Sequence, residues 1–433
     1  MSKHNRLDIT QVVDEHLCHS CGACFASCGH NSISFHESVG GYYVPKIDYD
    51  TCTGCELCFE VCSGDHFGKT LTAEMPEDPF VGNILSCEVG KATNQSIFEN
   101  SQSGGVTTAL LGSLLDSGEI EVALVAITKE DTPPRGDFAL VRDSKELYAS
   151  QKSKYTPIAL LSAIPQLKKV QGKIAIVGLS CHLQSLQNLC DTYKWLGKKD
   201  IFKIGLICDR VMTSTAIDFM AKQATDEPIK NFIFRDKAEP SYPGNPVVIT
   251  NDDTKIVLDK SLRMEMKDFF TPARCRLCFD KLNIFADVVM GDPHGVTGTD
   301  RQHGETLVLT RTSRGEEVIQ LTKELKTITL RNADKVQAVK GQKIDRKKIE
   351  WSAYTTAWKA LGKKAPEYPF VIESNDFKKE IKSLEHSLSL DDYNSKEALL
   401  TDAQKYYNKK KFKRTLRLPL VKLKAIVKKI IKR

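Results

Sequence analysis

The sequence predicts an α/β domain that follows a small cysteine-rich α+β domain and precedes a helical C-terminal extension. Two observations support this order. A run of four cysteines occurs twice within the first 65 residues, and apolar β-rich runs alternate with amphipathic helical stretches from about residue 84. Beyond about residue 345 the pattern is charged and helical. The predicted domain limits are therefore 1–80, 84–345 and 346–433.

Length and composition indicate a globular protein. The chain has 433 residues, of which 41% are hydrophobic, so it can form two or three domains with at least one large core. The polar start MSKHNRLDITQ lacks the apolar segment of a signal peptide, and no run of eighteen uncharged apolar residues occurs. These features argue against a secreted or membrane-spanning protein, and we expect a cytoplasmic location.

The N-terminal cysteines form an internal repeat with a displacement of 34 residues. The two runs are Cys18, Cys21, Cys24 and Cys28, and then Cys52, Cys55, Cys58 and Cys62. Between them, ISF at 33–35 and YYV at 42–44 flank HESVGG, which predicts a short hairpin. The chain has fourteen cysteines, most of them two or three residues apart, and no export signal. This favours metal binding over disulfides.

The spacing of these runs is typical of ligands for two [4Fe-4S] clusters, as in a bacterial ferredoxin. In two-cluster ferredoxins, the fourth cysteine of each run binds the cluster of the other run. The expected ligand sets are therefore Cys18, Cys21, Cys24 and Cys62 for one cluster, and Cys52, Cys55, Cys58 and Cys28 for the other. The alternatives are a zinc site and a set of redox-inactive core cysteines, but structural zinc usually uses paired C-x2-C knuckles with longer separations. Ferredoxin runs usually continue with proline, whereas this chain has Gly29 and Ser63.

The α/β domain is predicted from the segments after residue 84. The alternating pattern covers 121–127, 157–167, 173–179 and 201–207, and later strand candidates are 230–235, 246–250, 286–292 and 306–312, with a helix near 314–325. Cys181 and Cys208 each follow an apolar strand, and Cys275 and Cys278 form a C-x2-C loop. Because the ends of neighbouring parallel strands meet at one edge of a sheet, we expect a third [4Fe-4S] cluster there. The alternative is a set of buried structural cysteines, which is our interpretation of Cys87 and Cys190.

A candidate phosphate-binding loop precedes a predicted helix. SQSGGVTTALL, residues 101–111, places two hydroxyl side chains and two glycines before the helix, so free backbone N–H groups at the helix start can meet a phosphate. The same residues also suit an ordinary helix cap. No G-x-G-x-x-G follows a strand and no G-x4-G-K-[ST] occurs, so neither a Rossmann nicotinamide site nor an NTPase site is predicted.

Several segments together resemble the beta-subunit family of coenzyme F420 hydrogenases and dehydrogenases, from about residue 84 to about 345. They are SQSGGVTTALL, SKY at 153–155, GLSCHLQSL at 178–186, GLIC at 205–208, and CRLC followed by ADVVMGD. Where the family often has Pro-Cys after the third strand, this chain has Ser180-Cys181. The resemblance implies an α/β flavoprotein domain with FAD and a nearby [4Fe-4S] cluster, and some relatives carry a fused N-terminal two-cluster ferredoxin module.

The resemblance also implies an activity and a cofactor site. FAD would be bound by Ser101, Ser103, Gly104, Gly105, Val106 and Lys154. The implied function is an oxidoreductase that passes electrons between coenzyme F420, as a small-molecule hydride carrier, FAD and the clusters, in either direction. Two alternatives are a ferredoxin-fed flavin-dependent reductase of another small molecule and a non-catalytic electron-transfer subunit of a larger complex. Each of these functions includes a redox partner protein or a ferredoxin.

The histidines do not predict a catalytic residue. His182 lies beside a candidate ligand and His294 follows a strand in GDPHG, so these two are the histidines to test. Hydride transfer between stacked rings depends on positioning more than on proton transfer. The catalytic residues therefore stay unassigned.

The C-terminal tail is strongly basic. Residues 408–433 contain twelve Lys or Arg and no Asp or Glu. The formal net charge of the whole chain is +7, so residues 1–407 carry a net charge of −5. An apolar stripe follows one helical face: Leu420, Leu423, Val427, Ile430 and Ile431. The stripe favours a partner-docking helix or a membrane-surface anchor over an RNA-binding arm, so we expect no nucleic-acid partner. Of these we expect a helix on the inner surface of a membrane, and a solvated tail is the alternative.

Overall fold

An eight-stranded mixed sheet forms the centre of the computed structural model, which describes residues 7–131, 133–237 and 242–431, with side chains as far as residue 416. The strands are β1 (Ile33–Glu37), β2 (Tyr43–Ile47), β3 (Ser86–Ala92), β4 (Val122–Lys129), β5 (Arg135–Val141), β6 (Ile174–Gly178), β7 (Ile201–Leu206), β8 (Ile229–Asp236), β9 (Asn245–Thr250), β10 (Lys255–Val257), β11 (Val288–Gly291), β12 (Thr306–Thr310) and β13 (Ile328–Asn332).

Helices cover the sheet and form most of the remainder. The α-helices are α1 (Ile9–Asp14), α2 (Ala23–Ser27), α3 (Leu57–Glu60), α4 (Lys69–Ala73), α5 (Gln95–Asn100), α6 (Val106–Asp116), α7 (Ser180–Thr192), α8 (Lys194–Gly197), α9 (Thr215–Lys222), α10 (Lys260–Met266), α11 (Ala273–Arg276), α12 (Ser313–Glu324), α13 (Lys335–Gly341), α14 (Ile344–Ala360), α15 (Lys378–Leu388) and α16 (Lys396–Ile431). Short 3-10 helices occupy Ser144–Ser150, Leu160–Lys169 and Ser389–Asp391.

The large sheet has the strand order β13-β3-β12-β11-β7-β6-β4-β5. The strands β4, β6, β7 and β11 run parallel to one another, and β5 and β12 pair antiparallel on either side of them. The carboxyl ends of the four parallel strands form one edge, called the carboxyl edge below. Because β6 and β7 are parallel neighbours, Cys181 and Cys208 both follow strands that end at this edge.

The predicted α/β pattern is confirmed in most places. The strand candidates from 121–127 onwards correspond to β4, β6, β7, β8, β9, β11 and β12, and the helix near 314–325 is α12. Segment 157–167 lies largely on a 3-10 helix that contains Pro165. The sequence does not predict β3, β5, β10 or β13, whose apolar residues are interrupted by charged or small ones.

The N-terminal module is a small α+β unit around the predicted hairpin. β1 pairs antiparallel with β2, from Ile33 opposite Ile47 to Glu37 opposite Tyr43. The carboxylate of Asp8 caps α1 by accepting a hydrogen bond from the Thr10 backbone N–H at 2.9 Å. The module packs directly on the α/β domain rather than extending away from it.

Side chains from both faces of the large sheet are buried. On one face, Leu124 and Ile176 pack with Leu183 of α7 and with Cys21 and Val61 of the N-terminal module. On the other face, the neighbouring residues of the same strands pack against α6 and α12. The parallel strands are therefore almost continuously apolar, because successive side chains point to opposite buried faces.

The start of the C-terminal extension belongs to the core. Trp351 and Trp358 of α14 are fully buried, and their indole N–H groups donate to Leu277 O and Lys364 O, both at 2.9 Å. The sequence predicts only a charged helical extension here, whereas the charged residues of α14 alternate with a buried apolar face. The domain limits at residues 80, 84 and 345 stay predictions.

The last helix, α16, continues to Ile431. The predicted apolar stripe, from Leu420 to Ile431, lies outside the residues whose side chains are described. Within the described part of the chain, no helix is both long enough and apolar enough to cross a membrane.

Candidate redox site

The two N-terminal cysteine loops share one backbone conformation. Ser20 and Gly22 in the first loop have φ angles of 58° and 91°, and the equivalent residues of the second, Gly54 and Glu56, have 70° and 63°. Two left-handed residues in close succession turn each loop sharply. The 34-residue sequence repeat is therefore also a repeat of structure, which curls three cysteines of each run to one side.

Three cysteines of the first run meet the last cysteine of the second. This inner group is Cys18, Cys21, Cys24 and Cys62. Burial raises the pKa of the Cys24 thiol well above its usual range, and the other three thiols raise it further. The backbone N–H groups of Ser20 and Gly64 donate to the sulfurs of Cys18 and Cys62, both at 3.3 Å. Buried thiolates need a positive partner, so this arrangement fits ligands of a cluster.

The remaining N-terminal cysteines form an outer group, which is Cys28, Cys52, Cys55 and Cys58. Burial raises the pKa of Tyr193, and the thiols of Cys55, Cys28 and Cys58 raise it further, so these three lie near its phenol. Cys52 packs on the same apolar cluster as Cys28 and Cys58. Cys55 is exposed, whereas three of the four inner cysteines are buried.

The four dispersed cysteines also come together, in a third group that consists of Cys181, Cys208, Cys275 and Cys278. Burial raises the pKa of the Cys181 thiol, and the thiols of Cys21, Cys208, Cys275 and Cys278 raise it further. Cys181 lies in the first turn of α7 and Cys208 just beyond β7, so both follow the carboxyl edge. The structure thus brings together all four residues of the expected third ligand set.

The three groups lie in series. The inner group is adjacent to the outer group through the shared N-terminal module, and Cys21 of the inner group is a neighbour of Cys181 in the third. Among the described residues, no three His, Cys, Asp or Glu side chains are grouped as ligands of a single metal ion. The thiolates of a [4Fe-4S] cube each bind a different iron atom, so they surround a volume rather than converge on one point.

The predicted phosphate-binding loop lies at the carboxyl edge, between β3 and the start of β12. The Gly104 N–H donates to Thr306 Oγ1 at 3.2 Å, and a Cβ at Gly104 would lie only 2.4 Å from the Gly90 carbonyl oxygen. Gly105 has a φ of 74° and begins α6 without a side-chain cap. The first N–H groups of an eleven-residue helix therefore have no capping side chain, which suits a phosphate.

Lys154 lies close to this loop. The Ser153 N–H donates to Gln102 Oε1 at 3.0 Å and so ties the SKY segment to the SQSGG segment. The Lys154 ammonium donates to the carbonyl oxygens of Ser150 and Gln151 at 2.6 and 2.8 Å. Burial lowers the pKa of Lys154 to about 7. Its hydrogen atoms point at the end of a 3-10 helix, so it positions this segment.

A basic cluster at the same edge was not predicted. Arg235 on β8 is 5% exposed, and its guanidinium binds Asp292 Oδ2 at 2.7 Å and the Tyr155 hydroxyl at 3.1 Å. The Arg263 guanidinium lies 5.3 Å from the centre of the Tyr155 ring. Arg235 Nη2 and Arg263 Nε are buried and have no hydrogen-bond partner among the described atoms. Two unpaired cationic N–H groups beside Tyr155, whose SKY segment is tied to the loop, fit the pyrophosphate of FAD.

Lys237 connects this cluster to the loop. Its ammonium donates to Ser101 Oγ at 3.2 Å and to the Ser103 carbonyl, and lies 3.9 Å from the centre of the Phe98 ring. Burial lowers the pKa of Lys237 to about 8. In the sequence, Arg235 and Lys237 flank Asp236 in a short charged run at the end of an apolar strand, which gave no signal of a site.

Three family models match this chain. The model described as 4Fe-4S dicluster domain matches residues 17–65. The N-terminal and C-terminal models of the coenzyme F420 hydrogenase/dehydrogenase beta subunit match residues 87–165 and 171–336, and together they span more than half of the chain. The chain belongs to the coenzyme F420 hydrogenase/dehydrogenase beta-subunit family. It carries in addition a 4Fe-4S dicluster domain in its N-terminal region.

Relatives within this family have low sequence identity but long matches. The chain is 24% identical over 327 residues to a subunit of the F420H2 dehydrogenase of Methanosarcina mazei, and the match covers 73% of this chain and 85% of that protein. It is 25% identical over 365 residues to the coenzyme F420-dependent sulfite reductase of Methanocaldococcus jannaschii. That match covers 79% of this chain and about half, 52%, of the reductase.

Among solved structures, a chain of the F420-reducing [NiFe] hydrogenase complex from Methanosarcina barkeri is similar. The TM-score is 0.49 with 17% identity, over 64% of this chain and 96% of that one. The family membership rests on the family models rather than on this distant likeness.

The two candidate histidines of this family member have different environments. His182 Nδ1 accepts a hydrogen bond from the Leu179 N–H, and Nε2 lies 3.1 Å from the Ile158 carbonyl. Burial lowers the pKa of His182 to about 4, so the ring stays neutral and caps α7. His294 is 59% exposed and lies 3.9 Å from Asp292. Cys87 and Cys190 pack into the core below the sheet, as expected.

Proposed function

We propose that this chain is an iron–sulfur flavoprotein oxidoreductase that passes electrons between coenzyme F420, FAD and [4Fe-4S] clusters. One observation carries the proposal. The three cysteine groups lie in series, and the third group is at the carboxyl edge that also carries the SQSGG loop. A ligand crevice outside the carboxyl ends of parallel strands is the usual place for a cofactor in an α/β sheet.

The ligand sets follow from the three groups. The inner set is Cys18, Cys21, Cys24 and Cys62, the outer set is Cys28, Cys52, Cys55 and Cys58, and the third set is Cys181, Cys208, Cys275 and Cys278. Burial raises the pKa of Cys275 in the third group, and the nearby cations of Lys347, Arg274 and Arg210 oppose this rise. Positive charge in this region favours thiolate ligands and the more negative, reduced state of a cluster.

The flavin would be held where the loop, Lys237 and Arg235 meet. The N–H groups at the start of α6 and the unpaired guanidinium N–H of Arg235 would bind its phosphates, and Ser101, Ser103, Gly104, Gly105, Val106 and Lys154 would line or position this region. A bound flavin accepts a hydride as two electrons and passes these on singly, which matches one-electron clusters. The chain's contribution is to fix the ring between the hydride carrier and the third group.

The test uses the purified, anaerobically reconstituted full chain. Reduced coenzyme F420 should bleach the bound flavin in stopped-flow absorbance, followed by bleaching of the iron–sulfur absorption. If reduced F420 leaves the flavin oxidised while a reduced ferredoxin bleaches it, the chain is a ferredoxin-fed reductase instead. If neither donor reduces it in isolation, the chain is an electron-transfer component of a larger complex, as the name of its dehydrogenase relative also allows.

The basic tail supports a further element of this proposal. Twelve positive charges and an apolar stripe in residues 408–433 suit binding to an anionic membrane surface. We propose that the tail brings the oxidoreductase to the inner face of a membrane, where a redox partner protein takes or supplies electrons through the outer group.

A further inference from the structure

The junction between the inner and third groups is built from two serines. Ser63 directly follows Cys62, at the position where two-cluster ferredoxins have proline. Ser185 is on α7, one helical turn after Cys181. Both serines are fully buried. They therefore lie between a ligand of the inner group and a ligand of the third.

Ser63 uses atoms that a proline lacks. Its backbone N–H donates to Ser185 Oγ at 3.3 Å, and its hydroxyl lies 2.7 Å from Ser185 Oγ and 3.3 Å from the Cys181 carbonyl oxygen. Proline has neither a backbone N–H nor a hydroxyl. The equivalent position of the outer group is Gly29, where a Cβ would have no neighbour within 4 Å. Hydrogen bonds therefore explain why Ser63 replaces proline after the inner group, whereas no contact explains Gly29 at the equivalent position of the outer group.

Ser185 extends the contact to the inner group itself. Its Oγ lies 3.5 Å from the Cys21 sulfur. A cluster-bound Cys21 is a thiolate without a hydrogen atom, so the Ser185 hydroxyl must then be the donor. The Ser63 hydroxyl then donates to Ser185 Oγ across the 2.7 Å contact, and the Ser63 N–H donates to the same oxygen, so every hydrogen atom of the pair has an acceptor.

The Arg274 guanidinium holds the segment in place. Its Nε donates to the Gly64 carbonyl oxygen at 2.8 Å and its Nη2 to the Ser63 carbonyl oxygen at 3.2 Å, and the residue is 2% exposed. Arg274 immediately precedes Cys275 of the third group. The same side chain therefore joins the end of the second cysteine run to the C-x2-C loop.

We propose that the Ser63–Ser185 pair sets the reduction potential of the inner cluster, making it the electron acceptor for the third. A hydrogen bond to a ligand sulfur stabilises the extra negative charge of the reduced cluster and so raises its potential. Ser185 supplies this bond to Cys21, and Ser63 orients Ser185. The effect moves no proton and breaks no bond. It rests on the inner ligand set given under the proposed function.

The experiment is an anaerobic redox titration of the reconstituted full chain, monitored by electron paramagnetic resonance. We expect Ser185→Ala to shift the inner-cluster midpoint to a more negative potential, with the outer cluster unchanged. Ser63→Ala should shift it in the same direction, and Ser185→Thr, which keeps the hydroxyl, should restore the wild-type value. The resonance that changes in Cys18→Ala is assigned to the inner cluster, because Cys18 belongs to the inner ligand set.

Ser27→Ala is the matched control. Ser27 is also buried beside the inner group, but its hydroxyl donates to the Cys24 carbonyl at 2.8 Å and not to a sulfur. Equal potentials in Ser185→Ala, Ser27→Ala and wild type, at equal iron content, would overturn the proposal. If Ser185→Ala loses iron, the inner-cluster potentials of Ser63→Ala and Ser185→Thr are compared with that of the wild type instead. The titration uses a chemical reductant, so its result is independent of whether F420 reduces the flavin.

Discussion

The indole N–H of Trp351 donates to the backbone carbonyl of Leu277, at 2.9 Å, in the middle of the C-x2-C loop. The Tyr368 hydroxyl donates to the same carbonyl. Leu277 lies between Cys275 and Cys278 in the sequence, so the C-terminal part of the chain directly supports the third group. The predicted helical extension therefore forms part of the surroundings of the third group.

Trp351→Phe should destabilise the chain and loosen the third group. The variant keeps an aromatic ring but removes one of the two donors to the Leu277 carbonyl, which still accepts from Tyr368, so the cost is about 0.5–1.5 kcal/mol. Urea unfolding of the holoprotein measures the loss, and iron analysis measures the effect on the third cluster. Trp358→Phe is the control, because it removes an equivalent bond whose acceptor is the Lys364 carbonyl and not the C-x2-C loop. Equal loss of iron in both variants would show that Trp351 does not support the third group specifically.

The two fourth cysteines should act on opposite clusters. Cys62→Ala should perturb the inner cluster, although Cys62 belongs to the second run, and Cys28→Ala should perturb the outer one. Electron paramagnetic resonance of the reduced protein distinguishes the two signals. Cys190→Ala, at a core cysteine outside the three groups, should change neither. A loss of the outer signal in Cys62→Ala would show that each run binds its own cluster.

Arg235→Gln should weaken flavin binding. Removal of a buried guanidinium from a phosphate site costs about 1.5–3 kcal/mol, which corresponds to about a 10-fold to 100-fold rise in the FAD dissociation constant. Fluorescence titration of the flavin-depleted chain measures it. Arg331→Gln is the control, because Arg331 pairs with Glu305 on the surface of the same domain and is 44% exposed. An unchanged constant in Arg235→Gln would place the flavin phosphates elsewhere.

Flavin affinity should fall as the pH rises through about 8. Burial lowers the pKa of Lys237 to about 8, and the ammonium form both attracts a phosphate and donates to the loop. A bound anion favours this charged form, so affinity is highest below the pKa of the free chain and decreases above it. The arginine of Lys237→Arg stays charged over this pH range, so the fall in flavin affinity near pH 8 should disappear in this variant. If the fall persists unchanged in Lys237→Arg, another group causes it.

Deletion of residues 413–433 should release the chain from anionic liposomes. The deletion removes nine of the twelve basic residues in the tail together with its apolar stripe. A liposome flotation assay compares phosphatidylserine vesicles with neutral ones at equal salt. Iron and flavin contents should stay at the wild-type level. Equal binding of the full and shortened chains would remove the tail as the anchor.

Local sequence patterns predicted which cysteines form each ligand set, but they predicted only part of the fold. The repeat predicted which cysteines belong together because a C-x2-C-x2-C loop is a local structure, and the loop angles at Ser20 and Gly54 follow the same repeat. The third set was predictable because Cys181 and Cys208 follow recognisable parallel strands. Arg235 and Arg263 could not be predicted in this way, since only tertiary packing around Tyr155 brings them together.

The same limit applies to α14 and to Ser63. The charges of IDRKKIEW conceal a buried face, because charged residues fill much of the first half of α14 while Trp351 and Trp358, seven residues apart, lie on the same buried side. The sequence identified Ser63 as a departure from proline but gave no reason for it. The reason is on another segment, at Ser185, 122 residues away along the chain.

The exposure of Cys55, against the burial of Cys21, Cys24 and Cys62, has a consequence for handling the protein in air. Dioxygen and peroxide attack cluster ligands that they can reach, and exposed thiolates are oxidised first. Damage should therefore begin at the outer group, where we propose that a redox partner protein docks, while the groups beside the sheet stay intact longer. Brief exposure to air would then leave a chain that can still be reduced but can no longer exchange electrons with that partner.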